Sequence, residues 1–307
     1  MSFPLIEFDT SLAGHDVNEP RPGYRKIEVR LLAGSLGAEI FGVDLSQPVD
    51  DETFAEIHQA WLDHQVVFFR NQDITPELYK AFATRFSDLR LHELLATVPG
   101  HPEIQIVAKE STDNYGAGHF WHSDVSFSEI PPMGSLLYAR EVPDYGGDTL
   151  FANMYLAYDT LSDGMKEIID QRQALHSATR VYNGTGGGTA RDFKTGESGS
   201  NYRDYQHAER RIAHPMARTH PATGRRSLYV NSYFTVGIVD MKDEEALPLL
   251  GYLFQHATKP EFVCRFRWAP GSIAVIDNRC TQHYALNDYP GRRRVLHRIL
   301  LEGVRPQ

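Results

Sequence analysis

From residue 104 to 153 the chain repeats one pattern, a strand-like run followed by proline or glycine punctuation. The runs are "IQIVAK", "FWHSDVSF", "GSLLYAREV" and "GDTLFANM". Their β-branched and aromatic content suits a pleated, half-buried surface. The pattern returns as "RSLYVNSYF", "FVCRFRW", "SIAVIDN" and "RRVLHRILLEG". Helical spacing occurs elsewhere. Phe54, Ile57 and Trp61 share one face of a helix in "DDETFAEIHQAWLDHQ", and Thr75-Pro76 opens a second helix with Tyr79, Phe82 and Phe86 as its stripe. Further helices are expected around 155–172 and 243–256. Strands in succession with helices set apart favour a mainly β fold with helical decoration, a β-sandwich or jelly roll, over a doubly wound sheet.

The expected organisation is one domain over 1–307. A polar, glycine-rich stretch at about 183–206, "NGTGGGTARDFKTGESGSNYRDYQ", reads as a lid loop or a disordered segment. Its glycines miss the dinucleotide-binding spacing. Hydrophobic residues make up 41% of the chain, enough for a substantial core. A formal charge of −9 argues against a nucleic-acid binder, which needs a basic face to neutralise phosphates. No apolar run approaches the ~20 residues of a membrane span, and the start is not a secretory signal. The two cysteines, Cys264 and Cys280, read as reduced thiols. These features together lead us to expect a soluble cytoplasmic protein.

Fourteen histidines make accidental motifs common, so spacing decides. The dipeptide spacing H-x-D occurs once, at His122 and Asp124. Read as a strand, "FWHSDVSF" puts Trp121, Val125 and Phe127 on one face and His122, Asp124 and Ser126 on the other. An imidazole and a carboxylate on one face can reach a single metal ion. His283, in "DNRCTQHYA", is the best third ligand, and two histidines with one carboxylate leave open positions on a non-haem iron(II) centre. The alternative for the strand is an ordinary polar face in water. In "RRRVLHRILL", Arg294, Leu296 and Arg298 share a face of a strand that is partly apolar on both sides. Buried arginines need anionic partners, either structural carboxylates or a bound anion.

The segments "WHSDVSF", "PDYGGDTLFANM", "THPATGRRSLYVN", "HATKPEFVCRFRW" and "DNRCTQHYALNDYPGRRRVLHR" together resemble the taurine dioxygenase family of iron(II)/2-oxoglutarate-dependent dioxygenases, a likeness running nearly the length of the chain. The resemblance implies a double-stranded β-helix with Fe(2+) held by His122, Asp124 and His283. It implies that Thr149 and Arg294 bind 2-oxoglutarate as cosubstrate and that Arg298 grips an anionic substrate. It also implies consumption of O2 and release of succinate and CO2, with hydroxylation beside the substrate's head group and, commonly, a homo-oligomer (dimer or tetramer). By ungapped matching, the substrate pocket falls on His92, Leu95, Gly118, Val181, Tyr182 and Phe234. Three polar groups of taurine-specific pockets are lost there, which favours an alkyl sulfonate or alkyl sulfate with an apolar body over taurine. An aryloxyalkanoate is the alternative substrate, and a non-catalytic jelly-roll metal- or anion-binding protein is the alternative class.

Overall fold

The computed structural model describes residues 23–92, 95–114, 116–182 and 207–307, and for Val181 and Tyr182 the backbone alone. The stretch expected to form a lid, 183–206, lies outside the described residues. Among those described, nine strands build a major sheet. Its order is Glu28–Leu31, Ala38–Phe41, Val66–Phe69, Ile273–Asp277, Gly134–Glu141, Arg294–Leu301, His101–Lys109 and Thr97–Val98, with Leu89–Arg90 also paired to Arg294–Leu301. A three-stranded sheet, Val263–Phe266, Thr149–Asn153 and Thr281–Ala285, lies across it.

The segment "VVFF" shows how the two layers are held. All four residues are buried, and alternation sends them to opposite faces. Val67 and Phe69 meet Ile57, Trp61, Tyr79 and Phe82 from the helices Asp51–His64 and Pro76–Thr84. Val66 and Phe68 instead face the second sheet, where Phe68 stacks on Phe266 at 3.9 Å and meets Phe151 edge-on at 5.5 Å. Both helices begin where expected, capped by Asp50 and Thr75. A separate layer is formed by Gln173–His176, Ile212–Pro215, Thr235–Ile238 and the helix Asp243–Ala257, with its own core around Leu228, Ile238, Leu250 and Leu253. This is the jelly-roll sandwich with helical decoration that the strand pattern favours. No helix among the described residues is long and apolar enough to cross a membrane.

Three expectations need correction. The segment "FWHSDVSF" is not a strand. His122 makes one isolated bridge to His283, and residues 124–127 form a turn closed by the Ser128 amide donating to the Val125 carbonyl at 2.9 Å. Val125 sits at φ +52°, a rare region for a β-branched residue. The apolar residues therefore split: Phe127 and Val125 join Tyr233 and Phe234, while Trp121 packs against the other layer. The helix expected around 155–172 is two, Met154–Asp159 and Asp163–Asp170, because Ser162 caps the second. "RSLYVNSYF" is extended only at Arg226–Leu228. Asn231 then accepts the Phe234 amide through its side chain and turns the chain.

Candidate active site

Two backbone hydrogen bonds assemble the centre. The His122 amide donates to the His283 carbonyl at 3.1 Å, and the His283 amide donates to the His122 carbonyl at 2.8 Å. The paired main chains bring the two imidazoles to a centroid separation of 4.2 Å. The turn after Ser123 then swings Asp124 beneath them. Its Oδ1 lies 3.7 Å from His122 Nε2 and 3.9 Å from His283 Nε2, and all three side chains are buried. One ligand atom from each residue lies within 4.8 Å of the others, a span that a single ion can bridge.

The donor set fits such an ion. His122 Nδ1 lies 2.7 Å from the Phe120 carbonyl, so that nitrogen carries the proton and Nε2 presents its lone pair. Burial pushes the Asp124 pKa up, but the Arg298 guanidinium and the two imidazoles outweigh it and hold the carboxyl well below the usual range. Burial and the neighbouring His122 push His283 down to about 3, leaving a neutral ring suited to ligation.

Asp124 is fixed from both ends. Arg298 Nη1 donates to Oδ1 at 2.9 Å, and the Ser135 hydroxyl donates to Oδ2 at 2.5 Å. Ser135 in turn accepts from Asn278 Nδ2 at 2.8 Å. Arg298 Nε is held by Gln105 Oε1 at 2.9 Å. Ser135, Gln105 and Asn278 escape a motif search. A buried polar residue inside an apolar run ("GSLLYAREV", "IQIVAK") was the available signal.

The three side chains open into a cavity between the sheets. Arg294, Leu296, Arg298 and Leu137 enter it from the major sheet, and Thr149, His283 and Ala285 from the smaller one. The shared face read from "RRRVLHRILL" is thus the cavity face. The Thr149 hydroxyl receives Trp268 Nε1 at 2.9 Å and Arg294 Nη2 at 3.4 Å.

A family model described as "Taurine catabolism dioxygenase TauD, TfdA family" matches residues 28–300. The chain is 32% identical to an alkylsulfatase of Acinetobacter baylyi, over 91% of this chain and 86% of the relative. It is 31% identical to an alpha-ketoglutarate-dependent sulfate ester dioxygenase of Pseudomonas putida, over 93% and 92%. The crystal structure of a taurine dioxygenase from Burkholderia xenovorans superposes with a TM-score of 0.77 at 35% identity, covering 92% of this chain and 93% of that one. This chain belongs to the TauD/TfdA family.

As a TauD/TfdA protein it is an oxidoreductase of the alpha-ketoglutarate-dependent dioxygenase class. Among the described side chains matched to the family's substrate pocket, Gly118 alone lines the cavity. Its φ is +80°, and a Cβ there would stand 3.1 Å from His122 Cε1. The position is glycine for backbone and clearance reasons as well as for the shape of the pocket. Phe234 lies behind the centre, its ring edge-on to His122 at 6.1 Å. His92 is close enough to Arg298 and Asp124 to feel both charges, and burial with Arg298 pushes it down to about 3. Leu95 is half-buried outside the cavity lining. Val181 and Tyr182 end the short helix Thr179–Tyr182.

Proposed function

We propose that this chain is an iron(II)- and 2-oxoglutarate-dependent dioxygenase that hydroxylates an anionic organic substrate beside its head group, with an alkyl sulfate or alkyl sulfonate as that substrate. The observation that carries the proposal is the convergence of His122, Asp124 and His283 with buried Arg294 and half-buried Arg298 on one cavity. In this reading the three side chains hold Fe(II), which when bound supplies oxygen activation coupled to decarboxylation of 2-oxoglutarate to succinate and CO2.

The chain's own residues do the positioning. Arg294 pairs with the distal carboxylate of 2-oxoglutarate, and the Thr149 hydroxyl orients it. Arg298 already touches Asp124, so an anion taken by its remaining N–H groups sits beside the ligand carboxylate. That places the carbon next to the head group closest to the reacting centre. Hydroxylation there gives a hemiacetal-like adduct, which collapses to an aldehyde and releases sulfate from a sulfate ester or sulfite from a sulfonate. Val107, Leu137, Ala285 and Leu296 line the cavity with hydrocarbon, which excludes water and suits an apolar substrate body. Residues 1–307 act in this proposal as one catalytic domain.

The test is succinate formation that depends on substrate, across taurine, longer alkyl sulfonates, alkyl sulfates and phenoxypropionates. Alkyl sulfates or long sulfonates should give the highest kcat/KM. Preference for taurine, or for a phenoxypropionate, would overturn the substrate assignment. Absence of succinate with every anion would overturn the enzymatic one.

A further inference from the structure

Lys109 is a buried cation whose Nζ has no hydrogen-bond partner. It is the last residue of His101–Lys109 and is 3% exposed. Its register partner on the neighbouring antiparallel strand is Arg294. Residues directly opposite one another in an antiparallel pair project from the same face. The next pairs on that face are Val107 with Leu296 and Gln105 with Arg298, and Val107, Leu296, Arg294 and Arg298 line the cavity. Lys109 therefore continues this row beyond Val107, behind the cavity wall and opposite Arg294.

Tyr289 links the two cations. Lys109 Nζ lies 4.7 Å from the centroid of the Tyr289 ring. A Cβ on Gly147 would meet Arg294 Cδ and Tyr289 Cε1, each at 3.2 Å. A Cβ on Gly116 would meet Lys109 Cδ at 3.4 Å and the Tyr289 hydroxyl at 3.5 Å. Arg294, Tyr289 and Lys109 are thus packed side by side, with glycines where a side chain would press on them. Arg294 Nε also lacks a partner. Among the described residues neither cation forms an ion pair with a carboxylate. Of the carboxylates whose charge reaches them, Asp148 pairs with Arg265 at 2.6 Å, and Asp113 accepts the Glu110 amide through Oδ2 at 2.8 Å and acts on Lys109 through its field alone. Burial pushes both pKa values down, and it outweighs the opposing pull of Asp113 on Lys109 and of Tyr289 and Asp148 on Arg294. Two buried positive groups at one end of a cavity call for an anion there.

We infer that Lys109 is a specificity-determining positioning residue, a second positive charge behind Arg294 that makes this end of the cavity select a cosubstrate with a distal carboxylate. The inference rests on the reading that this cavity takes 2-oxoglutarate. Lys109 acts through Tyr289 and through its field, and Arg294 makes the direct pair.

The experiment measures binding by calorimetry to the Mn(II)-loaded protein, without turnover. The probes are N-oxalylglycine, which has a distal carboxylate, and oxamate, which lacks one. For Lys109→Met, N-oxalylglycine affinity should fall about 10-fold with oxamate affinity unchanged, and Lys109→Arg should restore most of the loss. Lys109→Met binding N-oxalylglycine as the wild type does would overturn the inference, as would equal loss for both probes. Arg294→Met separates the two readings: if it too leaves N-oxalylglycine binding intact, the cosubstrate assignment itself fails. Should Lys109→Met not fold, Lys109→Gln carries the same expectation. The wild-type protein gives an independent readout. Its preference for N-oxalylglycine over oxamate should decline as the pH is raised from neutrality through the alkaline range, because the lysine, whose pKa burial lowers, deprotonates ahead of the arginine. A constant preference over that range would count against the inference.

Discussion

Arg298 Nη1 donates to Asp124 Oδ1 at 2.9 Å, so the guanidinium proposed to hold the substrate anion is hydrogen-bonded to a carboxylate proposed to hold the metal. The same guanidinium is clamped through Nε by Gln105 at 2.9 Å. A planar fork can make both contacts and still present a further edge, whereas an ammonium cannot. Arg298→Lys is therefore expected to raise KM for the substrate by about 10-fold or more and to change KM for 2-oxoglutarate by less than about 3-fold. Steady-state kinetics with each varied in turn will show it. Equal losses would mean that the two arginines do not divide the two anions between them.

Ser135 lies behind the centre, where its hydroxyl donates to Asp124 Oδ2 at 2.5 Å. Removing it frees one end of the carboxylate. Supporting hydrogen bonds of this kind are typically worth about 10–100-fold in metal affinity. Ser135→Ala should weaken Mn(II) or Fe(II) binding by about 10-fold in an anaerobic titration. An unchanged affinity would show that Arg298 alone orients Asp124.

Gly118→Ala tests clearance at the centre. The left-handed backbone alone should cost about 1–2 kcal/mol of stability by denaturant unfolding. The new methyl would also stand 3.1 Å from His122 Cε1, so metal affinity should fall as well. Gly224→Ala is the control: φ is +70°, nothing lies within 4 Å of its Cβ, and metal binding should be unaffected. If both variants bind metal normally, the crowding of His122 is relieved by a small shift.

Stability should fall in mild acid. Burial pushes the imidazole of His176 down to about 3 and those of His214 and His256 to about 4, from 6.5. Between the folded and unfolded values the unfolded chain holds more protons, so stability rises with pH across that window. The contribution is complete above about pH 6.5 and is lost progressively towards about pH 4. A melting temperature that stays level from pH 7 down to pH 5 would contradict this.

Much of the site was legible because its side chains carry chemistry that apolar packing does not need. The H-x-D spacing, the strand-borne His283 and the alternation of Arg294 and Arg298 all named residues that meet in one cavity. The error at "FWHSDVSF" has a local cause. Its composition is β-prone, and nothing in it marks Val125 as left-handed, a conformation held by tertiary contacts in the cluster around Phe234. Ser135, Gln105 and Lys109 were missed for a related reason. Each is a single polar residue within an apolar run: the purpose of Gln105 and Lys109 depends on the residue facing them across the sheet, which register decides, and that of Ser135 on Asp124 and Asn278, brought to it from distant parts of the chain. Positions near His92 and Leu95 were the least legible, since short irregular segments carry no periodicity to read.

The reciprocal amide-to-carbonyl bonds between His122 and His283 have a consequence for how this centre can change. The spacing of the two imidazole-bearing α-carbons is set by peptide groups, which every residue except proline possesses. Replacement of either side chain by cysteine, asparagine or glutamate would alter the proposed ligand atom while leaving its mounting in place. The ladder acts as a jig, holding two distant parts of the chain at working distance whatever tool is fitted to them. A scaffold of this kind can exchange one metal's preferences for another's by single substitutions, without first having to refold around the new ligand.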